Sequence, residues 1–425
     1  MIFFSTNNLM QYEKKLFFIL LLMLIMQNYL MVCVQSQNEP LAILWNIRDD
    51  QIPDALQREM NLITVDETLK PFLDDFNFGG TYIDFLSNMV FVKTLNFTRA
   101  REIITLPQIN PYENFITFKG ALNSTNRLKT AVNEMFLLAD DHEAHAVCVY
   151  IDVILNDIII ASFYKEAKDN TPFFDSVKKY YPIFKFYNSN EEIFSNISSL
   201  NNKRLRKRNI EEVILAGDGL DYEDSEIGED GTCSCGFWAR NSLNPNINYI
   251  GTAGHCFTNQ DYYHIPWDSP TRENLKSIGQ TAFDVTSPQD FGLIHISNND
   301  VQPRAAIRNT NPLFPELLIK DGNAVSSHGA HLCLSGYFTH VTCGYIKALF
   351  GFYFEEESFS DDVTVVGAKS VIGDSGGPMF RYQLDLMHVS LNGISLGGYG
   401  DELTVVTKLD LILKLEGVNI ELVTV

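Results

Sequence analysis

From Cys233 to the end of the chain, short apolar runs recur about every ten residues, each broken by Gly, Asn or Pro: Tyr249 to Thr252, Phe291 to Ile296, Val341 to Ile346, Val363 to Val366, Met379 to Phe380, Val389 to Ile394 and Leu403 to Val406. Runs this short, with turn residues between them, predict an all-β barrel domain. The stretch Lys408 to Leu415 has helical spacing and is expected to close the domain as a short helix.

The first half reads differently. Tyr82-Ile83-Asp84, three residues, Asn88 and Val90-Phe91-Val92 recur as Tyr150-Ile151-Asp152, three residues, Asn156 and Ile158-Ile159-Ile160. Each copy predicts a β-hairpin turning on an Asn, near 78–93 and 147–163, unless the match is coincidence between two unrelated hairpins. Between them, Arg127 to Asp141 carries apolar residues at helical spacing. Two small α/β subdomains are the economical expectation.

The two textures meet at a charge jump. Residues 203–208 read Lys-Arg-Leu-Arg-Lys-Arg, and 209–232 carry nine acidic side chains and no basic one. Such a stretch buries too little apolar surface to fold, which predicts a solvated acidic linker over 209–232. In a secreted chain the Lys207-Arg208 pair is then an expected kexin- or furin-type processing site; the bland alternative is a basic patch without that role. The expected organisation is a signal peptide (1–36), an N-terminal region (37–208), the linker (209–232) and a C-terminal domain (233–425).

Secretion is the expectation from the N-terminus, where Lys14 and Lys15 precede the apolar run Leu16 to Met26 and a Val34-Gln35-Ser36 tripeptide. An uncleaved membrane anchor is the competing reading, because apolar residues resume at Tyr29. Sequons at Asn96, Asn123 and Asn196 agree with the secretory route as expected glycosylation sites. The 425 residues allow two or three domains. With 53 acidic residues against 32 basic and a net charge of −21, nucleic acid is excluded as an expected partner. Five of the seven cysteines fall from residue 233 onward, which predicts a disulfide-bearing C-terminal domain.

The strongest chemical signal is Gly373-Asp374-Ser375-Gly376-Gly377-Pro378. A serine in a Gly-rich turn can expose its hydroxyl while the amides of Gly373 and Ser375 converge on one point, as a developing oxyanion requires. Serine needs a base oriented by a third group. His255 in Thr252-Ala253-Gly254-His255-Cys256 fits the base, at the end of an apolar strand and beside a tethering cysteine. Asp290, leading into Phe291-Gly292-Leu293-Ile294, fits the orienting carboxylate, with Asp284 the runner-up.

The motifs TAGHC around His255, DFGLI around Asp290 and GDSGGP around Ser375, in that order, resemble the chymotrypsin-type serine proteases, and most of all their streptogrisin and α-lytic protease branch. Cys233-Ser234-Cys235-Gly236-Phe237, the stretch from Cys333 to Gly344, and Phe78 to Asp84 with its repeat carry the likeness further. The resemblance implies a double six-stranded antiparallel β-barrel of chymotrypsin-like fold, preceded by an α+β pro-region. It implies catalysis by His255, Asp290 and Ser375 through an acyl-enzyme. It also implies a peptide held along Ser395, Leu396 and Gly397, and disulfides Cys333–Cys343 and Cys233–Cys256, with Cys235 the less favoured partner of Cys256.

No metal or organic cofactor is required. The implied partners are protein or peptide substrates, with the chain's own pro-region as inhibitor and folding template; a monomer is expected. Lys369, six residues before Ser375, argues against a preference for Lys or Arg in the pocket. Asp374 lacks the arginine that bacterial relatives often supply, since Leu334 stands there, so Lys369 or another cation is expected to serve. The alternatives are a catalytically silent homologue that binds a partner and a membrane-tethered surface protein.

Overall fold

The structure is a computed structural model that describes residues 37–189, 212–223, 230–257, 261–267, 275–355 and 358–425. The expected signal segment, Asn196 and the Lys207-Arg208 pair lie outside these residues. Among the described residues, no helix is long and apolar enough to cross a membrane. The chain divides into two units, 1–55 and 56–425. The first contains helix α1 (Pro40–Trp45), started by Pro40 and ended by Asn46 in the left-handed conformation.

Helix α2 (Ile52–Leu69) leads into a duplicated unit. The first copy is β1 (Phe78–Asp84), β2 (Met89–Thr94), α3 (Phe97–Ile104) and β3 (Ile116–Gly120). The second is α4 (Thr125–Asp141), β4 (Val147–Asp152), β5 (Asp157–Phe163), α5 (Thr171–Val177) and β6 (Ile183–Tyr187). In each copy an antiparallel hairpin is followed by a helix and a third strand parallel to the second. Asn88 and Asn156 occupy matching turn positions with φ of 56° and 57°, a conformation asparagine tolerates better than most residues. The sequence repeat is therefore a structural one. Helix α4 is capped by the Ser124 hydroxyl and buries Leu128, Val132, Met135 and Ala139, the stripe its spacing predicts.

Most of the remaining strands build two sheets. β7 (Glu212–Ala216) is the edge strand of the second; the members of the first are β8 (Gly219–Glu223), β9 (Asp230–Ser234), β10 (Phe237–Asn241), β11 (Asn248–Thr252), β12 (Asp261–Ile265), β13 (Lys276–Val285), β14 (Phe291–Ile296) and the terminal β25 (Ile420–Leu422), all antiparallel in the order β25-β10-β11-β14-β13-β12-β8-β9. The second region holds β15 (Val301–Arg308), β16 (Glu316–Gly322), β17 (His331–Gly336), β18 (His340–Ala348), β19 (Gly351–Phe354), β20 (Phe359–Asp361), β21 (Thr364–Val366), β22 (Pro378–Tyr382), β23 (His388–Tyr399) and β24 (Leu403–Lys408). Pairing of β22 with both β17 and β23 closes β22-β17-β18-β21-β24-β23 into a six-stranded antiparallel barrel. After β24, Leu409–Ile412 forms the short helix α6. An all-β region preceded by helices and strands agrees with the fold the resemblance implies, although of its two six-stranded barrels one is closed among the described residues and the other is represented by the eight-stranded antiparallel sheet.

One expectation is corrected. Over its described residues, 212–223 and 230–232, the stretch expected as a solvated linker is built into the sheets: β7 pairs in parallel with β15, and β8 pairs with both β9 and β12. Ile214, Leu215 and Leu220 are buried. Counting charges over the window concealed the strand alternation, and the charge that mattered most is neutralised inside. Asp218 is fully buried and accepts from Arg308 Nε at 2.6 Å and from His264 Nε2 at 2.9 Å.

The duplicated unit is built into the barrel region. Strand β4 pairs antiparallel with β19, giving the five-stranded sheet β20-β19-β4-β5-β6. The first copy meets the barrel region through a single parallel bridge between Tyr82 and His328, where Ile83 N–H donates to the His328 carbonyl at 2.9 Å. Leu62 and Val65 of α2 share a core with Leu332, Leu334 and Met379 of the barrel. The fully buried Glu59 of α2 meets the buried His331 at 2.5 Å, and Asp66 accepts from Ser327 Oγ at 2.6 Å and pairs with Lys70 at 2.6 Å.

Candidate active site

Strand β11 lies between β10 and β14, and the chain leaves it through a single 3-10 turn, Gly254–Cys256, that carries His255. The Cys233–Cys256 disulfide ties this turn to β9, and Cys333–Cys343 joins β17 to β18, the two pairings the resemblance implies. Cys148 and Cys235 are free and buried. A side chain at Gly254 would meet the Val285 carbonyl at 2.0 Å and Asp290 Oδ1 at 2.8 Å, so only glycine lets the turn approach Asp290 this closely.

Asp290 stands at the entry to β14 and is 2% exposed. Its Oδ2 meets His255 Nδ1 at 2.5 Å, and its Oδ1 accepts the His255 backbone N–H at 2.9 Å. Two contacts to one carboxylate fix both the position of the turn and the rotation of the ring. They commit Nδ1 and leave Nε2 as the working nitrogen. Asp284 lies exposed on β13. Burial alone would lower the His255 pKa, but the Asp290 charge and hydrogen bond, with a further contribution from Glu355, carry it up to about 9.

Ser375 sits in a turn held from both sides. Its carbonyl accepts from Ser234 N–H at 2.8 Å, the Ser234 hydroxyl donates to the Gly373 carbonyl at 2.9 Å, and Gly376 N–H donates to the Ser395 carbonyl at 2.7 Å. Gly373 and Gly376 have φ of 92° and 81°, and a Cβ on Gly376 would lie 1.9 Å from Thr252 Oγ1 and 2.8 Å from Ala253 N. The nucleophile turn is thus pressed against the turn that carries His255. The amides of Asp374, Gly376 and Gly377 are spent within the chain. Among the described residues, those of Gly373 and Ser375 donate to no protein acceptor, which suits two donors meant for an oxyanion. Ser375 Oγ lies 3.5 Å from the Leu396 carbonyl and makes no hydrogen bond to His255.

Solved structures of chymotrypsin-like serine proteases are similar to this chain. Protease A of Thermobifida fusca is 23% identical, with 50% of this chain and all of that one covered at a TM-score of 0.40. A Nocardiopsis protease is 20% identical, with 50% of this chain and all of that one covered at 0.40. An α-lytic protease homologue is 20% identical, with 47% of this chain and 95% of that one covered at 0.37. No family model matches the chain, and no curated protein matches it.

Asp374 is satisfied in a way the residues alone did not show. Its carboxylate accepts the backbone N–H groups of Phe338 at 2.9 Å, Thr339 at 3.1 Å and Val371 at 3.0 Å. Burial pushes its pKa up against these hydrogen bonds, which favour the charged form. Lys369, expected as the compensating cation, instead pairs with Asp401 at 2.7 Å.

Ser395 and Leu396 are buried in β23, and both backbone groups of Ser395 hold the nucleophile turn, accepting from Gly376 and donating to Gly377. A Cβ at Gly397 would approach the Tyr353 hydroxyl at 3.8 Å, and one at Gly398 would strike Ser370 Oγ at 2.0 Å. The buried Ser370 hydroxyl has no hydrogen-bond partner among the described residues. Nothing in Gly351-Phe352-Tyr353-Phe354-Glu355 marks a site in the sequence; the folding of β19 brings Tyr353 and Glu355 here. Asn96 and Asn123 are part-buried, with Nδ2 donating to Asn77 Oδ1 at 3.0 Å and to the Asn156 carbonyl at 2.9 Å.

Proposed function

We propose that the chain is a secreted serine endopeptidase, made as a precursor whose N-terminal region restrains and templates the catalytic part. The observation that carries the proposal is the buried Asp290 holding His255 by two contacts, beside a Ser375 turn whose two neighbouring amides are unspent. Ser375 Oγ attacks the scissile carbonyl as His255 Nε2 takes its proton. The amides of Gly373 and Ser375 receive the oxyanion, and collapse to the acyl-enzyme expels the amine with that proton. Water then repeats the sequence. Asp290 stabilises the imidazolium throughout. The peptide lies along β23 at Leu396–Gly397, with its side chain entering toward Gly398 and Ser370.

An N-terminal region sharing a sheet and a core with the barrel suits a template, because a barrel of non-local pairings folds slowly. Glycosylation at Asn96, Asn123 and Asn196 and cleavage after Arg208 belong to the same proposal. A fluorophosphonate probe tests the chemistry. Covalent labelling of the processed protein, abolished in Ser375→Ala, is expected; processed protein that neither labels nor hydrolyses casein refutes it.

A further inference from the structure

Outside the pair Asp290–His255, a third ionisable group reaches the same place. One carboxylate oxygen of Glu355, one of Asp290 and one ring nitrogen of His255 lie within 4.8 Å of one another. Glu355 follows β19 directly, and its position is set by backbone and side chain together. Its N–H donates to the Ser358 carbonyl at 2.9 Å, and the Tyr353 hydroxyl donates to its Oε1 at 3.2 Å.

The hairpin that presents it is clipped to the segment leading into Asp290. Phe359 N–H donates to Ser287 Oγ at 2.9 Å, Asp361 N–H donates to the Pro288 carbonyl at 3.0 Å, and Gln289 Nε2 donates to the Asp361 carbonyl at 2.9 Å. On its other edge, β19 is paired over Gly351–Phe354 with β4 of the N-terminal region.

Resting on the serine-protease reading, we infer that Glu355 is a positioning residue for His255, a second carboxylate that the β19–β20 hairpin holds against the imidazole while β4 is in place, keeping the general base from Ser375. The groups that face the imidazole are Asp290 from the entry to β14 and Glu355 from the end of β19. Both carboxylates act to raise the His255 pKa and so favour the imidazolium, which cannot accept the Ser375 proton. Ser375 Oγ lies near the Leu396 carbonyl, at 3.5 Å. Loss of β4 leaves the hairpin with one edge unpaired and frees the carboxylate to withdraw.

The test uses the full-length chain. The His255 imidazole is titrated by NMR in the Ser375→Ala background, and fluorophosphonate labelling of Ser375 is followed against pH in the otherwise unmutated chain. Glu355→Gln is expected to lower both midpoints, so that labelling at neutral pH rises about tenfold for each unit of fall. Glu355→Asp should keep the midpoints near those of the parent. Tyr353→Phe, which removes the hydroxyl that holds the carboxylate, should shift them in the same direction by less, and serves if Glu355→Gln does not fold. An imidazole midpoint unchanged in Glu355→Gln, or in Tyr353→Phe where that variant stands in, overturns the inference whatever the probe does. A shifted imidazole in a protein whose Ser375 stays unreactive even after processing leaves the action of Glu355 on His255 standing and removes the serine-protease reading instead.

Discussion

At the scale of single residues, the site depends on close approach and on charge. Asp290→Asn keeps the shape of the pair but reverses the hydrogen bond at Nδ1, so peptide turnover should fall by roughly 10⁴-fold. The same variant bears on stability. The folded-state pKa of His255 is raised to about 9, so its pairing stabilises the fold fully below the free-histidine value of about 6.5 and loses that contribution as pH rises toward 9. Thermal melts from pH 6 to 10 should show the parent losing this increment while Asp290→Asn does not. Gly376→Ala should fail differently. Its methyl would meet Thr252 Oγ1 at 1.9 Å with the backbone at φ 81°, and a cost of at least about 1–3 kcal/mol is expected in denaturant unfolding.

At the scale of elements, two junctions carry specific loads. Asn156 joins the two copies of the duplicated unit: its Oδ1 accepts the N–H groups of Leu122 at 2.7 Å and Asn123 at 2.8 Å, while Nδ2 donates to the Asn123 carbonyl at 2.8 Å. Asn156→Ala should cost about 2–4 kcal/mol, because three backbone groups lose their bonds to a buried side chain and a left-handed residue loses its tolerance; urea unfolding measures it. His328 donates from Nδ1 to the Thr81 carbonyl at 3.0 Å where β1 meets the barrel. Burial, then the charges of Lys70 and Lys408 against that of Asp66, hold its pKa down to about 4. A histidine lowered in this way favours the docked state when neutral. Its contribution is complete above about pH 6.5 and declines down to pH 4. Hydrogen exchange at the Ile83 amide, corrected for intrinsic rate, should show protection falling over that window, and His328→Gln should flatten the slope.

At the scale of the whole molecule, the placement of β7 and β8 limits where the proposed processing can cut. Removing residues up to Cys233 would strip a strand from each sheet and leave the Arg308 and His264 side chains around a missing Asp218. The N-terminus of the processed protein, read by Edman or mass-spectrometric sequencing, should therefore fall between Asn188 and Glu212, after β6 and before β7. A chain begun at Cys233 should not fold even when the N-terminal region is supplied in trans, whereas one begun at Asn209 should refold with it; equal recovery from both starts would show β7 and β8 to be dispensable.

Much of this protein is written in short-range pattern. The hairpin turns at Asn88 and Asn156, the stripe of α4, the β-runs after Cys233 and the residues His255, Asp290 and Ser375 are all legible in the chain, because periodicity, turn chemistry and motif spacing act over a few neighbouring residues. What surrounds those residues is not legible there. Three backbone amides satisfy Asp374, Lys369 turns to Asp401, Glu355 comes to lie beside His255, and an acidic stretch becomes two strands around a buried Asp218. Each of these depends on segments far apart in sequence meeting in one sheet or one core. Burial and partnership of a charge are properties of that meeting, so only the tertiary structure decides them.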